Sequence, residues 1–402
     1  MRGIEFVRLE FVDLLGNLKG FEVPKEKYSQ DRYLTLDGSS IPGFTTIESS
    51  DLYLKPAQST FREDTDTAFV FCDLFTPAKK RFEGDTRHLL EKAIDATDLE
   101  FMAGAEPEFY LLNEKKPHDG GCYFDTSKPF HNAVKTKREI VRRLKKAGLD
   151  IELKHHEVGP GQYEIIFRAE SASKTAENIL LFKRIVRETA YELGSVACFL
   201  PKPFHGFAGN GMHVHLSAWE DGKNAFYDGK GLSRLAQQFT AGLLAHAREI
   251  TAVTNPTINS YKRLVPGFEV PVNICWGFRN RSTLIRIPAS EGGRTRIEYR
   301  SPDPSANPFL ALAVIIAAGM DGVDRGLSPP EAVKENVYEN PNGLETLPSD
   351  LREALDAMEK SRLVRKTLGT HVFKEFLKLK RGEWRDYCAH VTDWEREKYL
   401  TV

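Results

Sequence analysis

The chain has no C-x-x-C pair: its five cysteines (Cys72, Cys122, Cys198, Cys275 and Cys388) are scattered and odd in number. That excludes a zinc ribbon and argues for reduced thiols in a cytoplasmic protein. Nor is there an excess of either charge. With 56 basic against 57 acidic residues and a formal net charge of −1, nothing global draws the chain to nucleic acid or to an anionic membrane. The start, Met1-Arg2-Gly3-Ile4-Glu5, lacks an apolar signal core. The one long apolar run, Pro308 to Met320, is too short to span a bilayer and reads as a buried helix. A Walker A loop and a Rossmann fingerprint are also missing. What remains is 402 residues, 41% hydrophobic and 28% charged, a soluble globular protein with a sizeable core.

Alternation of Phe6, Arg8 and Glu10 with Val7, Leu9 and Phe11, a turn at Gly16-Asn17 and a return from Leu18 to Val23 predict a β-hairpin. Asp37-Gly38-Ser39-Ser40 is a short polar loop, and Thr67 to Phe75 is an apolar strand, so residues 1 to about 85 form a small, mostly β unit. Asp85 caps a helix to about Ala96, and Phe101 to Leu112 is a strand. A basic amphipathic helix is predicted over Lys137 to Ala147, opened by Thr136 and Glu139 at capping-box spacing, and a longer one over Ser173 to Leu193. Beyond Pro308, helices are expected over Phe309 to Asp324, Ser349 to Lys360 and Leu363 to Leu379.

The chemistry-bearing stretches lie between these. Glu106-Pro107-Glu108 puts two carboxylates on one strand face, a repulsion that a divalent cation relieves, and Pro107 implies an edge or irregular strand. In His155-His156-Glu157-Val158-Gly159-Pro160-Gly161-Gln162-Tyr163-Glu164 the two acids are seven residues apart and should point opposite ways in a regular strand. A bulge or interruption at Gly159-Pro160-Gly161 re-aims Glu164 onto the face of Glu157; the alternative is a hairpin with solvated acids. Glu152 has the strand parity of Lys154 and His156. After a glycine loop, His213, His215 and Ser217 alternate with Met212, Val214 and Leu216. Arg263, Arg279, Arg281, Arg286, Arg296 and Arg300 then crowd one region, with Arg296, Glu298 and Arg300 on one strand face, a pattern suited to holding phosphate or carboxylate oxygens. These residues imply a metal-dependent enzyme acting on an anionic, phosphorylated substrate.

In order along the chain, Asp37-Gly38-Ser39-Ser40, Glu106-Pro107-Glu108-Phe109, His155-His156-Glu157-Val158, Pro201-Lys202-Pro203, Asn255-Pro256-Thr257, Asn259 to Gly267, Asn280-Arg281-Ser282 and Pro302-Asp303-Pro304 with Ala306-Asn307-Pro308 resemble the signatures of the glutamine synthetase family. Trp394-Glu395-Arg396-Glu397 looks like its bacterial and archaeal type I branch. The resemblance implies an α+β fold: an N-terminal β-grasp domain (1–85), then a large α/β catalytic domain (86–402) with a curved antiparallel sheet. It also implies a cytoplasmic homo-oligomer, a dodecamer of two hexameric rings with active sites between subunits. The implied reaction joins ammonia to L-glutamate using ATP, through a γ-glutamyl phosphate.

Carried over by position, Glu108, Glu157 and Glu164 hold one Mg²⁺ or Mn²⁺, and Glu106, His213 and Glu298 a second. Glu152, His215, Ser217, Arg286 and Arg296 match positions near ATP; Gly209, Arg263 and Arg300 match positions that hold glutamate. Arg281 matches the arginine that stabilises the transferring phosphoryl group, Asp37 an acid donated across the subunit interface to bind ammonium, and Glu269 the flap acid that closes the site. Ala208 stands where an asparagine is usual and Phe278 where a small residue is usual, so a γ-glutamyl-amine ligase using an organic amine is the alternative. Thr46 replaces the feedback arginine of the Gram-positive subgroup, and the surroundings of Tyr338 do not match an adenylylated tyrosine. The chain begins close to its first strand, without the leading helix common in the family, which would alter ring stacking.

Overall fold

The computed structural model describes residues 4–57, 62–64, 67–126, 131–290, 292–341 and 343–402. The first sheet contains β1 (Phe6–Val12), β2 (Leu18–Pro24), β3 (Leu34–Asp37), β4 (Asp51–Pro56), β5 (Arg62–Asp64) and β6 (Thr67–Phe75). The expected hairpin forms from β1 and β2, and β6 returns parallel to β1, giving the order β2-β1-β6-β4-β3 with β5 beside β6. Val7, Leu9 and Phe11 of β1 are buried, which fixes the core face of this sheet.

Asp85 then caps α1 (Thr86–Asp95), its carboxylate accepting from the backbone N–H groups of Arg87 and His88, an arrangement that stabilises a helix start by ~1 kcal/mol. The second sheet is built around β7 (Glu100–Asn113), with β8 (Lys116–Pro117), β9 (Ile151–His156), β10 (Gln162–Phe167), β11 (Glu170–Ser171), β12 (Val196–Cys198), β13 (Met212–Glu220), β14 (Lys223–Asn224), β15 (Trp276–Phe278), β16 (Ile285–Ile287) and β17 (Ile297–Tyr299). Its main order is β15-β16-β17-β13-β7-β10-β9. The pairs along it are antiparallel except β15 with β16, so the sheet is mixed.

Helices cover it. α2 (His131–Lys146) and α3 (Ala172–Glu192) pack on β7 and β10 through Phe109, Tyr163, Ile165 and Phe182, while α4 (Arg234–Ala245), α5 (Ala247–Thr254), α6 (Ile258–Arg263), α7 (Pro308–Asp324), α8 (Leu351–Lys360), α9 (Arg362–Ala389) and α10 (Asp393–Tyr399) complete the chain. Most of α7 is buried, capped by Asn307, and packs on α4 where Gly242, Gly319 and Gly322 allow close approach. Among the described residues no helix is long and apolar enough to cross a membrane.

Four expectations need correction. Pro107 lies in the central strand: Glu108 N donates to Gly211 O on the β13 side, so Pro107, lacking an N–H, faces the side where pairing with β11 has ended and pairing with β10 begins at Glu108. Thr136 is inside α2, which starts at His131, so it opens no helix. The last long helix runs past Leu379 to Ala389, interrupted at Gly369, whose φ is 69°. Gly159-Pro160-Gly161 turns a hairpin rather than bulging a strand: Gln162 N donates to Gly159 O, and β9 pairs antiparallel with β10.

Candidate active site

Strand parity and register lay the site across one face of the second sheet. Odd residues of β7, such as Phe109 and Leu111, enter the core against α2 and α3, leaving Glu106 and Glu108 on the other face. Glu106 pairs with His213 and Glu108 with Glu164. One register step away, His215 pairs with Glu298, and Glu298 with Arg286. Across the hairpin, Glu164 stands opposite His155, and Glu157 lies two residues beyond His155. The acids are therefore gathered, not solvated as the hairpin alternative supposed.

Two donor clusters result, each with ligand atoms within 4.8 Å of one another: His155, Glu157 and Glu164, and Glu106, His215 and Glu298. His155 Nε2 is 3.0 Å from Glu164 Oε1 and its Nδ1 is 3.5 Å from Glu157 Oε1. Glu108 adjoins the first group, its Oε2 accepting from Gly211 N at 2.8 Å and Gln162 Nε2 at 3.2 Å. In the second, His215 Nε2 is 2.9 Å from Glu106 Oε1, while His213 Nδ1 is 3.5 Å from Glu106 and 3.8 Å from Glu298. Both imidazoles thus border this pair of acids. Glu298 is bound on both oxygens, by Arg300 Nη1 at 2.5 Å and Arg286 Nη1 at 2.6 Å.

The electrostatics separate the clusters. Burial, then the charge of Glu157, pushes Glu108 up to about 8; burial raises Glu157 and Glu164 to about 7, each with a neighbouring acid adding to it. Burial would depress His155, but its bond to Glu164 lifts it to about 9. On the other side burial opposes ionisation of Glu298, yet His215, Arg300, His213 and Arg286 together hold it at about 2, and Glu106 is likewise held well below the usual range by His215 and His213. The first cluster is short of positive charge and the second has it supplied. Oxygen and imidazole donors so crowded fit a hard or borderline divalent cation.

These acids, with His155 and His213 but not His215, line a cleft of about 1010 Å³ together with Arg263, Arg281, Arg286 and Arg300. Arg263, at the end of α6, is 2% exposed, and its Nη1 donates to the carbonyls of Ser301 and Pro302. It packs on Gly209, where a Cβ would meet Arg263 Cγ at 2.8 Å.

Residues 3–77 match the family model for the glutamine synthetase β-grasp domain, and residues 83–399 that for the glutamine synthetase catalytic domain. The chain belongs to the glutamine synthetase family. The glutamine synthetase of Methanocaldococcus jannaschii is 42% identical, the alignment covering 99% of this chain and 95% of that one; that of Thermus thermophilus is 44% identical, covering 99% and 96%. Among solved structures, a GmaS/ADP complex superposes with a TM-score of 0.92 at 31% identity, covering 100% of this chain and 97% of that one. A Plasmodium falciparum glutamine synthetase superposes with a TM-score of 0.90 at 24% identity, covering 99% and 96%, and bears on the fold alone. The chain is therefore a ligase of a glutamate–ammonia ligase family that uses ATP and divalent metal ions and is oligomeric.

Of the positions that glutamine synthetase resemblance singled out, twelve line the cleft: Glu106, Glu108, Glu157, Glu164, His213, Glu298, Gly209, Arg263, Arg300, Glu269, Arg281 and Arg286. Glu269 is exposed with φ 55°, a strained conformation for a residue with a side chain. Five others, His215, Arg296, Ser217, Glu152 and Asp37, lie off it. His215 is behind Glu106, with Arg296 Nε 3.2 Å from its Nδ1. Ser217 is one pair further along β13 and accepts from Trp219 Nε1. Glu152 is exposed and unpaired at a register shift of β9, where Ile166 pairs with Leu153 and Phe167 with Ile151, and it does not line the cleft. Asp37 is exposed at the end of β3, accepting from Ser39 and Ser40, and lines no part of the cleft within its own chain.

Sequence reasoning passed over His155 as a site residue, although it named the motif, and missed Gln162 and Asp119. Gln162 Nε2 reaches Glu108, Gly209 O and Asn210 Oδ1. Asp119 accepts from Gly121 N, Gly161 N, His156 Nε2 and the Tyr163 hydroxyl, fixing the hairpin that carries Glu157. Tyr338, noted only as an unmatched modification site, donates its hydroxyl to Arg281 O at 3.0 Å.

Proposed function

We propose that the chain joins ammonia to the γ-carboxylate of L-glutamate, using ATP and passing through γ-glutamyl phosphate, to give L-glutamine, ADP and phosphate. The observation that carries this reading is the pair of donor clusters on one sheet face, beside an arginine-rich cleft. Glu108, Glu157 and Glu164 would hold one Mg²⁺ or Mn²⁺, and Glu106, His213 and Glu298 another, ions whose charge offsets that of the phosphates. Arg286 and Arg296, with His215 and Ser217 of β13 and Glu152 at the register shift of β9, serve the nucleotide side. Arg263, Arg300 and the bare backbone of Gly209 seat the glutamate. The γ-carboxylate oxygen attacks the terminal phosphorus, the bond to ADP breaks, and Arg281 meets the charge on the moving group. Ammonia then displaces phosphate from the acyl carbon.

Asp37 is the group that takes the proton from ammonium, and its distance from the cleft of its own chain favours donation from a neighbouring subunit, within a dodecamer of two hexameric rings. Glu269, on the loop at the cleft mouth, closes over the acyl phosphate and keeps water from it. We assign residues 1–85 and 86–402 as the two domains and the cytoplasm as the location.

A second reading, an organic amine as acceptor, is favoured by one feature. Phe278, half exposed against Trp276, lines a cleft of about 580 Å³ that shares Glu269 and Arg281 with the main one. Phosphate release with glutamate and ATP, comparing ammonium with methylamine, ethanolamine and polyamines, decides between them. Preference for ammonium is expected; preference for an organic amine would reject the first reading.

A further inference from the structure

A second cleft of about 1010 Å³ lies between the turn of the β1–β2 hairpin, α3 and β12, and none of the residues lining it lines the catalytic cleft. Six basic side chains border it (Arg8, Lys19, Lys183, Arg184, Arg187 and Lys380), against two acids, Glu10 and Glu188. Most of the six are neutralised. Arg8 pairs with Glu22 and Glu188, Arg184 with Glu10, Lys380 with Glu383, and Lys19 approaches Asp13 at 3.9 Å. Two are not: among the described residues neither Lys183 nor Arg187 has a carboxylate partner.

For Lys183 the setting makes that unusual. Lys183 is 7% exposed, and among the described residues its Nζ donates only to Pro304 O, at 2.6 Å. Arg187 stands one helical turn further along α3, its guanidinium 5.1 Å from the centre of the Phe199 ring. Like charges at i and i+4 on a helix repel, and a buried ammonium with one carbonyl partner is left short of hydrogen bonds. Arg184, between them, has Nε and Nη2 buried without a hydrogen-bond partner. Burial, with Arg187 adding to it and the more distant Asp303 only partly opposing it, brings Lys183 down to about 7.

We infer that this interdomain cleft binds a small dianion, a dicarboxylate or a phosphate, held between Lys183 and Arg187 with Arg184 beside it. Such a ligand would join the β-grasp hairpin to α3. It would also act on Pro304, two residues beyond Pro302, whose carbonyl accepts from Arg263, so the site is placed to influence substrate binding from outside the catalytic cleft.

The test is equilibrium dialysis of the assembled enzyme with radiolabelled inorganic phosphate and, separately, radiolabelled succinate, with a non-hydrolysable ATP analogue and L-glutamate saturating the catalytic cleft. One probe ion per chain is expected, the two arms showing which head group is preferred. Arg187→Gln, exposed enough to leave folding intact, should weaken binding about tenfold or more, the loss of one charge-assisted contact. Lys183→Met should do so too if it folds, and Arg168→Gln, outside the cleft, should not. No uptake of either probe, or equal uptake by Arg187→Gln, overturns the inference. So does a changed assembly mass of Arg187→Gln in light scattering, which would make the cleft a subunit contact.

Discussion

His155 and Glu164 face each other directly across β9 and β10, with Nε2 and Oε1 3.0 Å apart. The imidazole thus lies between two acids, Glu157 and Glu164, that are expected to share a cation, and its bond to Glu164 favours its protonated form. Proton and metal compete for the same position.

Cation binding should therefore depend on pH. Glu108 is raised to about 8 and Glu157 and Glu164 to about 7, from 4.5. A cation needs them ionised, so Mg²⁺ or Mn²⁺ affinity should rise with pH through 7 to 8, with protons released on binding. Calorimetry in two buffers of different ionisation enthalpy measures that release; a pH-independent affinity would contradict the assignment. For stability, groups whose folded pKa is raised favour the fold below their unfolded pKa and lose that contribution as pH climbs through the folded one. The cation-free protein should accordingly melt lower as pH rises from about 5 towards 8, and added cation should cancel the loss.

Glu298→Ala should abolish turnover, by about 10²-fold at the least. It also strands Arg286 and the buried Arg300, so a stability loss of ~3–5 kcal/mol is expected. Phosphate release and thermal melting separate the two effects, and unchanged turnover would show the metal assignment to be wrong.

A methyl group at Gly209 would lie 2.5 Å from Pro201 O and 2.8 Å from Arg263 Cγ. Gly209→Ala should therefore displace Arg263 and raise the KM for glutamate roughly tenfold or more, in line with ~1–3 kcal/mol for overpacking, leaving the KM for ATP little changed. Steady-state kinetics on both substrates checks it.

Asp37→Ala and Arg281→Ala should each be inactive alone. If Asp37 crosses to a neighbour, chains of the two variants mixed before assembly rebuild intact sites in about one case in four, from two independent one-in-two choices. No recovery after co-refolding would place Asp37 in its own chain's site or in none.

How much could be read beforehand follows from how local each signal is. Glu106 with Glu108, and His213 with His215, share a face by strand parity alone, and parity is written in two residues. The meeting of His155 with Glu164 depends on register, which the Gly159 to Gly161 turn sets and which neighbouring letters do not reveal. Gln162 and Asp119 act by holding other groups, and neither residue type stands out in a strand or loop. The helices α4 and α5 were not anticipated although each has an apolar stripe, Ala236, Phe239 and Leu243 of α4 and Ala247, Ile250 and Val253 of α5 being buried; no chemistry-bearing residue marks either segment. Asp37 was found only through family likeness; its own loop is a satisfied turn.

Glu298 has a guanidinium on each oxygen, so at rest it is a counter-ion rather than a free donor. An incoming polyanion that draws Arg286 towards itself uncovers a carboxylate that only another positive species can balance. Nucleotide and cation should consequently enter jointly, each sharpening the saturation curve of the other, with neither bound tightly when supplied by itself.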